Sequence, residues 1–166
     1  MNASILSNIG LTFKPTDITS TGIPVLKANN IRNGRINYDE VAYVRQNTKI
    51  KETEWLSSGD VLMAVRSGSK SLVGKVAVIY DLAEPTTFGA FMSVIRPLIV
   101  VPEYLTIYFE SPFFRNQLEE ANTTTIYQVT QKMLKEAYYP IAPCQEQQRI
   151  IARVSQLNEK LSELVR

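Results

Sequence analysis

The sequence predicts an α+β fold: short strands and short helices over Met1 to Ala142, then a long coiled-coil-type helix over Pro143 to Arg166. Three observations carry this. Short apolar runs, among them Val61-Leu62-Met63-Ala64-Val65, are bounded by Gly, Asn and Ser turn signals. Pro102-Glu103 and Ser111-Pro112 open runs whose apolar residues fall at helical spacing. From Gln147 onward, Ile150, Val154, Leu157, Leu161 and Leu164 recur at steps of four, three, four and three, which is a heptad seam rather than a broad globular face.

Composition narrows the function. With 166 residues and 45% hydrophobic content the chain can bury one proper core. It has no histidine and a single cysteine, Cys144, so no Ser-His-Asp or Cys-His arrangement and no zinc cluster can be assembled. A lone cysteine suits a reducing compartment and a packed small residue better than a nucleophile. Met1 to Gly10 has no basic stretch leading into an apolar run, and nowhere do about 18 apolar residues follow one another. These features predict a cytoplasmic soluble protein with no membrane partner. The net charge of +2 is too small to establish a nucleic-acid partner, so the placement of the basic residues has to do so.

In chain order, Leu11 to Thr21 has loop composition, and Gly22-Ile23-Pro24 launches a strand through Val25 and Leu26. Asn33-Gly34, between Ile31 and Ile36, signals a tight hairpin turn. Lys27, Asn29, Asn30, Arg32, Asn33 and Arg35 fall in nine residues without an acid, a donor-rich loop of the kind that meets phosphates and base edges. The same composition also suits a plain polar hairpin tip. A strand is expected around Val41 to Val44, then an irregular segment, Gln46 to Ser58, anchored by Trp55. Val61 to Val65 reads as a strand buried on both faces, delivering Arg66, Ser67, Gly68, Ser69, Lys70 and Ser71, before a second strand leaves through Gly74 to Tyr80. This loop is either a binding loop on a rigid frame or a flexible connector. It is not a phosphate-binding P-loop, because Val76 stands where the hydroxyl after Gly74-Lys75 should be.

Phe88 to Ile95 reads as one further strand, closed by Arg96-Pro97, with Leu98 to Val101 continuing extended. The helix opened by Pro102 carries Leu105, Tyr108 and Phe109 on one face, and the next presents Phe113, Phe114 and Leu118 to the core. Thr130 is placed to cap a short helix through Met133, Leu134 and Lys135. Thr124, Gln128, Gln131 and Lys132 belong to a second donor-rich, acid-free stretch, which is a contact loop or an exposed linker. Pro140 and Pro143 hold the chain non-helical before the arm, and Glu146 falls in its first turn, where a carboxylate suits the exposed amides. The heptad residues either pack on the domain itself or form a docking seam.

Taken together, three sets of residues resemble the target recognition domain of type I restriction-modification specificity subunits. They are Gly22-Ile23-Pro24-Val25-Leu26 with Asn30-Ile31, Gly59-Asp60-Val61-Leu62 with Arg66-Ser67-Gly68 and Gly74-Lys75, and Tyr139-Pro140-Ile141 to Pro143 with Glu146-Gln147 and Ile150. The resemblance runs in order from about Ile9 to the end of the chain. It implies a mixed, strongly curved β-sheet recognition domain, residues 1–142, with a conserved helical arm, residues 143–166. It also implies sequence-specific binding of double-stranded DNA at one half of a bipartite target, with modification (methyltransferase) and restriction subunits held on the DNA and no chemistry or cofactor of its own. A typical subunit joins two recognition domains through two such helices, the second covering the first. Here the seam of Ile150, Val154, Leu157, Leu161 and Leu164 would pair with a second copy or a second specificity half. A different class of function fits the same residues: a non-catalytic protein-interaction module that docks through its heptad helix while its polar loops merely face solvent.

Overall fold

The computed structural model describes residues 5–69, 71–121 and 128–164. Among the described residues, ten strands and four α-helices alternate unevenly: β1 (Ile5–Ile9), β2 (Ile18–Thr19), β3 (Ile23–Leu26), β4 (Ile31–Arg32), β5 (Arg35–Ile36), β6 (Ala42–Val44), β7 (Val61–Ala64), β8 (Val76–Val78), β9 (Thr87–Phe88), β10 (Met92–Pro97), α1 (Pro102–Glu110), α2 (Pro112–Ala121), α3 (Gln131–Glu136) and α4 (Cys144–Leu164). One sheet has the order β1-β10-β7-β8 and is antiparallel throughout. The other, β2-β6-β3-β9, is mixed, since β3 and β9 run parallel. A two-stranded ribbon, β4-β5, stands apart.

The continuous apolar run of β7 is explained by layers on both its faces. Val61, Met63 and Val65 point into a core closed by Leu105, Phe109 and Phe114 of the helices. Leu62 and Ala64, on the opposite face, meet Leu26, Phe88 and Met92, as the period-two alternation of a strand requires. A third cluster of Leu11, Ile23, Val25 and Val44 lies under the second sheet, and Trp55 packs against it as the anchor expected of it. On the helical side, Tyr108, Phe109, Phe114 and Tyr139 form one aromatic cluster; the Phe109 and Phe114 rings meet edge to face with centroids 4.9 Å apart. The Asn33-Gly34 turn has φ of 52° and 70°, the left-handed pair a two-residue hairpin needs. Thr130 caps α3 by accepting the Met133 N–H at 3.1 Å.

Several expectations are corrected. Strand pairing is divided between two open four-stranded sheets rather than concentrated in one strongly curved sheet. Phe88 to Ile95 is not one strand: the chain leaves the second sheet after Phe88, turns through Gly89 to Phe91, and enters the first sheet at Met92. Leu98 to Val100 bends instead of continuing extended. Phe113 is exposed, because α2 turns Phe114 and Leu118 inward instead. Strand β1, at the sheet edge, was not anticipated from the residue pattern.

Helix α4 begins at Cys144, one turn earlier than its apolar period suggests, and is fastened at its start. Gln147, only 2% exposed, accepts the Val101 N–H at 2.8 Å and donates to the Ala142 carbonyl at 2.8 Å. Ile150 and Ile151 pack against the helical core, while Leu157, Leu161 and Leu164 are 45%, 59% and 82% exposed. Among the described residues, no helix is long and apolar enough to cross a membrane.

Candidate nucleic-acid interface

Two of the donor-rich loops meet in one cleft because of where two buried strands end. β3 is buried along its whole length and releases the chain at Lys27 into a tight 3-10 turn, Ala28–Asn30. β7, equally buried, releases it at Val65 and Arg66. Between these ends the Gly89 to Phe91 turn crosses from one sheet to the other. The N-terminal segment passes behind it at Gly10, where an added Cβ would collide with the Phe88 carbonyl. The result is a cleft of about 590 Å³ walled by Phe13, Phe91 and Met92, with Lys27, Asn29, Arg66 and Ser67 among its lining and, among the described residues, no acidic one. A concave, acid-free site with a few fixed donors is suited to an electron-rich, flat ligand surface.

The third loop joins through Arg66. Its guanidinium Nη2 donates to Gln128 Oε1 at 3.0 Å, while the two residues form an isolated antiparallel bridge and the Val129 N–H donates to the Val65 carbonyl at 2.8 Å. The guanidinium carbon also lies 5.9 Å from the centre of the Phe91 ring. In the same loop the Ser69 N–H donates to Ser67 Oγ at 3.1 Å, and the Ser69 and Ser71 hydroxyls are 2.9 Å apart, so the short side chains order the turn and remain at its surface.

Other candidates are placed differently. Asn30 is 1% exposed and fully engaged: its Oδ1 accepts the Lys27 N–H at 2.9 Å, and its Nδ2 donates to the carbonyls of Asn37 at 3.0 Å and Glu40 at 3.2 Å. It shapes the loop that presents Lys27 and Asn29 and has no group to offer a ligand. Gln131 is likewise occupied, accepting the Ser7 hydroxyl at 2.5 Å and donating to Ser93 Oγ at 3.0 Å, which ties α3 to β1 and β10. Lys132 is exposed, with Glu136 a distant 3.9 Å away. Lys70 and Thr124 lie outside the described residues.

Arg32, Asn33 and Arg35 do not reach the cleft. They sit on the β4-β5 ribbon, where Arg35 lines a separate hollow of about 450 Å³ with Tyr38 and Tyr80, and Arg32 lies 3.7 Å from Glu40. The Tyr80 hydroxyl donates to Glu103 at 2.6 Å, and burial together with that bond pushes its pKa up to about 12. The nine-residue loop of the sequence is therefore two surfaces.

Phe91 and Phe13 are the residues of this site that sequence reasoning missed. Phe91 is 59% exposed at the mouth of the cleft. The Gly89-Ala90 pair inside an apolar run was the available signal for a turn there.

Comparison with known proteins agrees in extent with this architecture. The chain is similar to the EcoKI specificity subunit of Escherichia coli (strain K12), 31% identical over 140 residues, covering 81% of this chain and 29% of that protein. It is also similar to the StySPI specificity subunit of Salmonella potsdam, 37% identical over 97 residues, covering 58% of this chain and 20% of that one. It thus spans less than a third of the length of either curated relative. In fold it is similar to the HsdS subunit from Thermoanaerobacter tengcongensis, with a TM-score of 0.71 at 19% identity over 97% of this chain and 36% of the other. A chain from a type I restriction-modification assembly gives a TM-score of 0.73 at 18% identity over 98% and 38% of the respective chains. The type I restriction modification DNA specificity domain matches residues 6–166, and the chain belongs to that family.

Proposed function

We propose that this chain reads sequence in double-stranded DNA as the recognition domain of a type I restriction-modification specificity subunit, in the cytoplasm and without chemistry of its own. Residues 1–142 read one half of a bipartite target. Residues 143–166 form the arm that anchors the modification (methyltransferase) and restriction subunits. The observation that carries this reading is the convergence of Lys27, Asn29, Arg66 and Ser67 on one acid-free cleft whose wall is fixed by two buried strands. Asn29, Arg66 and Ser67 of the cleft, with Ser69 and Gln128 of the adjoining loops, are assigned to base edges, and Lys27 and Lys132 to phosphates, with Arg32, Asn33 and Arg35 flanking. Selection from randomised duplexes, followed by a salt titration, tests it. Binding through about six phosphates should weaken about a thousandfold between roughly 50 and 200 mM salt. A chain that selects no sequence and whose binding ignores salt refutes the assignment.

The exposed Leu157, Leu161 and Leu164 favour a second reading for the arm, a docking helix for protein. The two readings are compatible. A second copy of the same helix offers the same patch on both sides of a two-fold pair, and an antiparallel pair would place two recognition domains over an interrupted palindrome.

A further inference from the structure

Arg66 is held from three directions before any ligand arrives. The Phe91 carbonyl accepts the N–H groups of both Val65 at 2.9 Å and Arg66 at 3.2 Å, which fixes where the side chain leaves the strand. The Phe91 ring then lies beside the guanidinium, and Gln128 Oε1 accepts one N–H of Nη2. Arginine has five N–H donors, so four remain for a ligand. Among the described residues of the cleft lining there is no carboxylate to claim them.

Building on the DNA-reading function proposed above, we propose that Arg66 reads a guanine of the target in the major groove, and that Phe91 and Gln128 are its positioning residues. The fork of a guanidinium matches O6 and N7 of guanine, two acceptors in the plane of the base. A phosphate accepts arginine from many directions, so fixing the guanidinium between a ring and an amide brings little to a phosphate contact. A base edge accepts the fork in one plane only. Ordering that plane in advance removes an entropy cost that a free arginine would meet on binding. The apolar wall of Phe13 and Met92 beside the fork also suits the edge and face of a base better than a hydrated backbone.

The test is selection from randomised duplexes with the full chain and with Arg66→Ala, Gln128→Leu, Phe91→Ala and Phe91→Tyr. The parent should show one position with a strong guanine preference. Arg66→Ala should lower that preference by about ten- to a hundredfold, the range a lost bidentate pair spans, and leave the other positions unchanged. Gln128→Leu and Phe91→Ala should weaken the same position and no other, and Phe91→Tyr should restore it. A purely structural role for these two would instead blur all positions alike, and that pattern overturns the positioning assignment. If Arg66→Ala weakens every sequence equally and lowers the salt slope by about one, Arg66 is a phosphate contact and the inference fails. If the parent selects a sequence and Arg66→Ala selects it unchanged, the inference fails while the DNA-reading function stands. A parent that selects nothing removes that function and this inference with it.

Discussion

Gln147 is a polar side chain in the joint between body and arm, and removing its amide should loosen both. The Gln147→Ala variant leaves two backbone groups without partners, the Val101 N–H at the start of α1 and the Ala142 carbonyl just before α4. An orphaned buried donor or acceptor costs about 1 to 3 kcal/mol. Val101 and Ala142 are themselves only half-buried, so water can reach them in part and the lower end applies to each. The expected loss is about 2 to 3 kcal/mol, or roughly 5 to 10 °C in Tm for a chain of this length. Gln147→Met, of similar volume, separates the hydrogen bonds from the packing, and should lose nearly as much if the bonds are what matter. The assay is chemical denaturation at fixed protein concentration, followed by far-UV circular dichroism. A Gln147→Ala variant within about 0.5 kcal/mol of the parent, the range of an ordinary surface change, would refute the reasoning.

Three further outcomes are expected. Burial raises the Asp60 carboxyl pKa against the opposing pull of the Ser57 N–H and Arg96; a group that holds its proton more tightly when folded contributes most stability below its unfolded pKa and loses it as pH rises through the folded one. The stability of the parent minus that of Asp60→Asn should therefore fall from about pH 4 towards neutrality, and a difference that grows with pH in denaturation curves would contradict this. Incubated with DNA, S-adenosylmethionine and magnesium, the purified chain should leave the DNA unmethylated and uncut, and reproducible turnover would overturn the non-catalytic assignment. Sedimentation should show a concentration-dependent dimer that Leu157→Asp abolishes, since each fully buried aliphatic of the seam is worth about 1.5 to 3 kcal/mol; a monomer at every concentration in both removes the palindrome.

Local signals were legible wherever a residue type has one dominant physical use. Asn33-Gly34 produced its hairpin because few pairs tolerate two successive left-handed residues, and Thr130 capped α3 because a hydroxyl before an apolar run has an N–H to satisfy. The buried character of β7 followed from its unbroken apolar run. What could not be read was register and partnership. β1 lies along β10, some 90 residues further on, with Ser7 opposite Ile95 and Asn8 opposite Val94, and nothing local in Ile5 to Ile9 announces that pairing. The break after Phe88 was masked because Gly89 and Ala90 interrupt an apolar run without making it polar.

The candidate site was half legible for a related reason. Donor-rich composition located the loops, since polar side chains accumulate where the chain leaves its core. Composition cannot separate a donor that faces outward from one that the loop consumes. Asn29 and Asn30 are adjacent and chemically identical, yet one lines the cleft and the other is spent on three backbone groups. A similar division separates Gln128, whose side chain bonds Arg66 beside the cleft, from Gln131, whose side chain is tied between two strands. Asn30 holds the backbone that presents Asn29, so losing it should disturb the site without its touching a ligand. The arm follows that logic at larger scale: Gln147 is consumed at the joint so that Leu157, Leu161 and Leu164 can stand clear of the body. Fixed strand ends at one place and a fixed helix start at the other set how the cleft and the exposed leucine seam are borne by one core.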